Sequence, residues 1–307
     1  MADRASQPWA GRDDGPGPEH ARWHTVVTCT PQSGYKFTPS SAVILGFASD
    51  EGVRRNGGRV GAAEGPLALR EALANLSDPG RPVFDAGDVV VDGGDLEAGQ
   101  ERLGAVAASV LEAGALPVVL GGGHEVAHGS YLGWAPRAAA ERWGVLNVDA
   151  HFDLRSADRA TSGTPFAEIA AAEAAAGRRF AYAVAGISRA NNTRALFEAA
   201  ESLGARVLLD EDCAIGAATA FVERFASGLD RVHLSIDLDV LPASVAPGVS
   251  APAGFGIGLD VVRVIVDAVL ASGKLGLLEI AELNPRFDVD GRTARTAARL
   301  VDRAVRR

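Results

Sequence analysis

The sequence predicts an α/β protein built on a mostly parallel sheet, and three observations carry that reading. Apolar, β-branched runs alternate with helical stretches, which implies parallel strands joined by right-handed crossovers. Apolar residues make up 47% of the chain and aromatics only 6%, so Ala, Val and Leu fill the core, as suits helices packed on a parallel sheet. Polar clusters recur at the carboxyl ends of the apolar runs, where such sheets bind ligands.

The elements follow in order. Residues 1–40 read as an irregular N-terminal arm. Its first 20 residues are broken by Pro and Gly and fit either a disordered tail or an arm packed near a site or a neighbouring subunit. Residues 41–307 read as one catalytic domain, with no linker or internal repeat. Residues 41–48 form a short buried strand, and residues 50–66 a long Gly-rich loop. Pro66 opens a helix over 66–75, because its fixed φ suits a first turn. Residues 82–91 are strand-like, and 96–115 show helical periodicity. Further strands are expected over 116–124, 144–155, 180–188, 205–212, 232–241 and 275–285, with helices over 258–272 and 293–307.

A formal charge of −9 gives no basic footprint for nucleic acid, and no Lys/Arg run marks a membrane patch. Cys29 and Cys213 lie far apart without CxxC spacing, which predicts structural thiols in a reducing compartment. No segment reaches the ~18 uninterrupted apolar residues of a membrane helix. Residues 1–17 lack the apolar region of a secretory signal, so a soluble cytoplasmic protein is expected.

Three motifs carry chemistry. DAHFD presents Asp149, His151 and Asp153 at spacing two, so that an extended chain would turn all three to one face. SIDLDVL places Asp237 and Asp239 together in an apolar context. Buried like charges are costly without a cation between them. The bland alternatives are a solvated turn for the first motif and a wet edge strand for the second. His124 in GGGHE also follows an apolar run, and capping of the next helix would explain it equally well. Taken jointly, two His and four Asp with no Cys suit a hard or borderline ion, Mn2+ rather than structural Zn2+. Four carboxylates exceed the charge of one divalent ion. Two ions sharing carboxylates balance better, and such pairs activate a water for attack.

GGGHE, DAHFD, SIDLDVLPASVAPGVSAP and AELNP, in this order from Gly121 to Pro285, resemble the arginase/agmatinase/formimidoylglutamase family. The resemblance implies a three-layer α/β/α sandwich and two Mn2+ ions. One would take His124, Asp149, Asp153 and Asp237, and the other Asp149, His151, Asp237 and Asp239, with Asp149 and Asp237 bridging. It also implies self-association, since members form trimers or hexamers. Arginases commonly show GGDHS and a His-bearing loop after the last Asp, whereas this chain has GGGHE and SGTPF. Together with GVRRNGGRVGAAEGP, DAHFDLR and AELNPRFDVDGRTAR, this is most similar to the formimidoylglutamase branch.

That branch hydrolyses an amidine to formamide and glutamate, so its small-molecule substrate carries two carboxylates. Glu282 matches the acid that meets the cationic nitrogens, and Asp149 and Asp237 hold the ions at the reacting centre. Arg155 and Arg189 are the first candidates for the substrate carboxylates, ahead of Arg54, Arg55 and Arg59. Ser162 and Thr164 could donate hydrogen bonds to it, while Asn191 and Asn192 fit a turn better. PASVAPGVSAP reads as a rigid loop over the metals. The glycines of 57–65 lack a GK[ST] ending, and GGGHE lacks the dinucleotide pattern. A guanidino-acid hydrolase releasing urea keeps the same metals and is the alternative. A regulatory protein on an inactive scaffold would show a lost ligand, and here every ligand position is filled.

Overall fold

The computed structural model describes residues 2–30 and 36–306. Nine strands among them form one sheet: β1 (Thr28–Cys29), β2 (Ala42–Ala48), β3 (Val83–Val90), β4 (Leu116–Leu120), β5 (Trp143–Val148), β6 (Tyr182–Ile187), β7 (Arg206–Leu209), β8 (Arg231–Asp237) and β9 (Leu275–Ala281). Every pairing is parallel, in the order β1-β3-β2-β4-β9-β8-β5-β6-β7. The chain builds one half of the sheet up to β4, crosses to β5 for the other half, and fills the gap last with β8 and β9. That crossing is a topological switch point, where the strand ends open into a crevice.

The helices are α1 (Trp23–Val26), α2 (Glu51–Arg55), α3 (Gly65–Ala74), α4 (Leu96–Glu112), α5 (Val126–Trp134), α6 (Pro165–Ala175), α7 (Arg194–Leu203), α8 (Ile215–Ala226), α9 (Leu259–Ala271) and α10 (Arg292–Val305). Pro66 and Pro165 sit in the first turns of α3 and α6, where a missing N–H costs nothing. Gly204, at φ 65°, ends α7 in the left-handed conformation.

Strand side chains alternate between two cores. Leu146 and Val148 join the core under α3, α8, α9 and α10, while Val145 joins the one under α4, α5, α6 and α7. The three-layer sandwich follows from that division. No helix is long and apolar enough to cross a membrane.

Three expectations need correction. The Gly-rich segment 50–66 is not all loop: α2 occupies its start, and a single turn spans Ala62–Glu64. The strands read over 144–155 and 232–241 stop at Val148 and Asp237, while the run 116–124 ends as expected in a glycine loop, after Leu120. The motifs expected to ligate metal therefore sit on the turns just beyond the strands. Glycines 121–123 release the chain after β4, and the Asp237 carboxylate turns it after β8 by accepting the Asp239 N–H at 2.8 Å.

The N-terminal arm is also more ordered than its composition suggests, though residues 31–35 of it lie outside the described set. Arg4 bridges Asp88 in antiparallel fashion, and β1 pairs with β3. Trp9 stacks on Trp23 with centroids 6.2 Å apart and donates its indole N–H to Asp85 at 2.8 Å. The cause is the buried acid on β3. Asp85 is fully buried and takes two hydrogen bonds from Arg70, at 2.8 and 2.9 Å. Arg70 also reaches Asp88 at 2.6 Å. A buried carboxylate collects donors, and the arm supplies one.

Arg70→Leu strands Asp85 in the core without its cation. We expect a loss of about 3–5 kcal/mol in denaturant unfolding. A loss below about 1 kcal/mol, the size of a surface ion pair, would show that the network is not what ties arm to sheet.

Candidate metal centre

Four adjacent strands, β4, β9, β8 and β5, converge on one site at their carboxyl ends. The turn after β4 carries His124, the turn after β5 carries Asp149, His151 and Asp153, β8 and its turn carry Asp237 and Asp239, and Glu282 follows β9. Asp153 and Glu282 hold positive φ, 48° and 70°, which non-glycine residues rarely adopt. The Glu282 N–H is held by the Gly122 carbonyl at 2.8 Å, and its Oε1 accepts the His124 N–H at 2.9 Å. The turns after β4 and β9 thus lock each other.

The side chains form two overlapping groups. His124, Asp149, Asp153 and Asp237 make the first, and Asp149, His151 and Asp239 the second, with ligand atoms within 4.8 Å of one another in each. His124 Nδ1 lies 3.2 Å from Asp149, 2.9 Å from Asp153 and 3.1 Å from Asp237. His151 Nδ1 lies 3.1 Å from Asp239. Asp149 belongs to both groups: its Oδ2 faces His124, and its Oδ1 faces His151. Asp237, expected to serve both ions, clusters most closely with the first group. Its Oδ2 faces His124, while its Oδ1 is engaged by the Asp239 N–H.

The electrostatics demand a cation. Burial, joined by Asp239 and Asp149, drives Asp237 well above the usual carboxylate range. Burial likewise raises Asp153 and Asp239. Asp149 is held low despite its burial, because both imidazoles flank it. Asp239 above all pushes His151 up to about 12, against its burial. Among the described residues no Lys or Arg pairs with these aspartates; the imidazoles are the basic groups that face them, and Asn147 donates to Asp149 Oδ2 at 2.9 Å. Two buried atoms, His124 Nδ1 and Asp239 Oδ1, make no hydrogen bond. Oxygen and imidazole donors in overlapping groups, with orphaned lone pairs aimed inward, fit a pair of divalent ions.

A cavity of about 100 Å³ opens over the groups, lined also by Asn56, Arg155, Ser162, Ser250 and Glu282. Roomier clefts elsewhere hold none of the clustered aspartates. Burial pushes Glu282 up to about 8, with like charge from Glu125 and Asp239, against hydrogen bonds from Ser250 and the His124 N–H. Phe166, in the SGTPF stretch, is buried and sets its ring edge-on to His124 at 5.3 Å.

The candidates for the substrate carboxylates separate clearly. Arg155 lies across Gly163, where a Cβ would come within 2.8 Å of its Cδ, and it has no ion-pair partner among the described residues. Ser162 Oγ accepts from Asn56 Nδ2 at 3.1 Å, which leaves its own proton to donate. Arg189 lies outside the cavity and pairs with Glu211 at 2.9 Å. Thr164 is spent on its own turn, bonding Thr161 O at 3.0 Å and Thr161 N at 2.9 Å. Arg54 and Arg55 are bound to Glu51, at 2.6 and 2.8 Å. Arg59 donates to the carbonyls of Val249 and Ser250 and stacks on Phe287 at 3.9 Å, so it braces the PASVAPGVSAP loop rather than facing substrate. Asn192 shapes the turn after β6, accepting the Phe152 N–H at 3.1 Å. The sequence reading passed over Asn56 and Ser250. Each was hidden in a segment read only as a loop, and only the fold shows that those loops meet.

The Arginase family model matches residues 40–306. The formimidoylglutamase of Nocardia farcinica is 54% identical over 308 residues, covering 99% of this chain and 97% of that protein. The formimidoylglutamase of Chromobacterium violaceum is 50% identical, covering 95% of each. Among solved structures, Trypanosoma cruzi formiminoglutamase with Mn2+ superposes with a TM-score of 0.79 at 28% identity, covering 87% of this chain and 92% of that one. The Bacillus subtilis formimidoylglutamase, at 20% identity, shares the fold with a TM-score of 0.82, covering 93% and 91%. With its strand-end carboxylates and imidazoles in place and the family match spanning nearly its whole length, the chain belongs to the arginase family.

Proposed function

We propose that this chain is a Mn2+-dependent hydrolase that converts N-formimidoyl-L-glutamate and water to L-glutamate and formamide, a step of histidine degradation. The observation that carries the reading is the meeting, in one cavity, of two overlapping carboxylate–imidazole groups with an unpaired arginine. The relatives named above, and the Mn2+ in the Trypanosoma cruzi structure, support it.

His124, Asp149, Asp153 and Asp237 would hold one ion, and Asp149, His151 and Asp239 the other. Bound there, the pair supplies Lewis acidity and brings an attacking water to a reactive state near neutral pH. The chain supplies the rest. Glu282 faces the amidinium: the cation stabilises the ionised carboxylate that burial otherwise disfavours, and charge-assisted N–H···O bonds orient the reacting carbon. Ser250 donates to Oε2 and the His124 N–H to Oε1, so the acid is held in one orientation. Arg155 and Ser162 face a substrate carboxylate across the cavity. The SGTPF stretch carries no histidine, so release of the amine does not use an imidazole from that stretch.

A second reading, a guanidino-acid hydrolase that releases urea, draws on one observation: among the described residues Arg155 is the one arginine lining the cavity, enough for one carboxylate. The two readings part on product. Mn2+-loaded protein offered formimidoylglutamate, guanidinobutyrate, agmatine and arginine side by side is expected to release formamide and glutamate from the first alone. Urea from another, with the first inert, would overturn the substrate assignment and leave the metal site standing.

Two variants test the residues. Asp237→Asn is expected to abolish turnover and lower bound Mn2+ by elemental analysis; full metal content with full turnover would remove it from the centre. Arg155→Ala is expected to raise KM by roughly 10–100-fold, the loss of about 1.5–3 kcal/mol of charged hydrogen bonding, with Mn2+ content unchanged. Arg189→Ala serves as its control, and a larger effect there than at Arg155 would reverse the assignment.

A further inference from the structure

We infer that Glu279 is a positioning residue that sets the direction of a buried hydrogen-bond chain, and through it leaves the His124 Nδ1 lone pair free for the ion that Asp149, Asp153 and Asp237 would share. The inference rests on the reading of those carboxylates as a metal centre. Every member of the chain is buried: Trp134, His233, Glu279, Ser130, Ser235 and His124.

Direction can be read from what each group is able to do. The Trp134 indole N–H can only donate, and it meets His233 Nδ1 at 3.4 Å. Nδ1 of His233 therefore accepts, and the proton of the neutral ring sits on Nε2. Nε2 points at Glu279 Oε2 from 3.6 Å, too far for a hydrogen bond but near enough that its N–H favours a negative oxygen there. Ser130 donates to Oε2, and Ser235 donates to Oε1 at 2.6 Å. Having given its one proton to Glu279, the Ser235 hydroxyl can only accept from its other neighbour. That neighbour is His124 Nε2, at 2.9 Å. Nε2 carries the proton, and Nδ1, which makes no hydrogen bond, is left to offer its lone pair to an ion held together with Asp149, Asp153 and Asp237. A metal-binding imidazole needs its tautomer fixed from behind. Here β8 and β9 do so from inside the sheet, since Ser235 and Glu279 are register partners.

The isosteric change Glu279→Gln reverses the chain. The nearby His233 Nε2–H favours the amide oxygen on its side, which leaves the amide NH2 facing Ser235. Ser235 then accepts from the amide and donates to His124 Nε2, which moves the ring proton to Nδ1. Ser130→Ala removes a donor from Glu279 but leaves the direction intact.

The test is a Mn2+ titration of the metal-stripped full chain by calorimetry. The wild type is expected to bind two ions. Glu279→Gln is expected to lose roughly 10–100-fold in affinity at one of the two sites, the usual effect of losing an outer partner. Ser130→Ala is expected to keep both affinities even where its melting temperature falls. Wild-type binding at both sites in Glu279→Gln would overturn the inference. So would an equal loss in Ser130→Ala, because packing rather than direction would then be responsible. A wild type that binds no Mn2+ would sink the metal reading itself. Should Glu279→Gln fail to fold, Ser235→Ala, which deletes the acceptor for Nε2–H, must show the same one-site loss; unaltered binding there overturns the proposal.

Discussion

Four aspartates buried against one another at the ends of adjacent strands are the constraint on which the rest of this structure depends. Like charges in a low-dielectric setting repel strongly, and each buried ion forfeits its hydration. Among the described residues, side chains answer that cost through two imidazoles, themselves ligand-type groups, and the Asn147 amide on Asp149. A divalent pair answers it more fully, and the family to which the chain belongs places chemistry at that point. The sheet topology makes the cluster possible: late insertion of β8 and β9 between the two halves brings together turns more than a hundred residues apart.

Around that cluster the chain spends its polar groups on fixing loops. Arg55 ties α2 to the carbonyls of Gly94 and Ala160 at 2.7 and 2.8 Å. Arg59 braces the loop that delivers Ser250, and Asn284 holds the carbonyls of Arg59 and Val60 at 2.8 and 3.2 Å. Glu125, fully buried and pushed up to about 7 by that burial, accepts from Ser49 at 2.8 Å and from the Gly52 N–H at 3.0 Å. These bonds hold the segment after β2 against GGGHE. Held turns are what allow Asp153 and Glu282 to persist in a disfavoured backbone conformation.

The clustering of the candidate ligands was legible in the sequence because their chemistry is local. His124, the DAHFD acids and the SIDLD pair each lie within a few residues of a strand end, and apolar context marks them as buried. The parallel sheet was legible from the same alternation. Strand limits were not, since glycines and a side-chain-capped turn end the strands before the motifs begin. Choosing among arginines was beyond the sequence as well. Arg189, Arg155 and Arg59 look alike as letters, yet one meets Glu211, one lies unpaired in the cavity, and one grips backbone carbonyls. Those outcomes depend on which loops the fold brings together. The N-terminal arm illustrates the same limit: its Gly and Pro content suggests a loose tail, and only the buried Asp85 explains why Trp9 is held.

Anomalous scattering at the manganese edge, from crystals of the Mn2+-loaded protein, tests the central claim most directly. The account predicts two peaks, one among His124, Asp149, Asp153 and Asp237 and the other among Asp149, His151 and Asp239. A single peak, or density away from these aspartates, would contradict it.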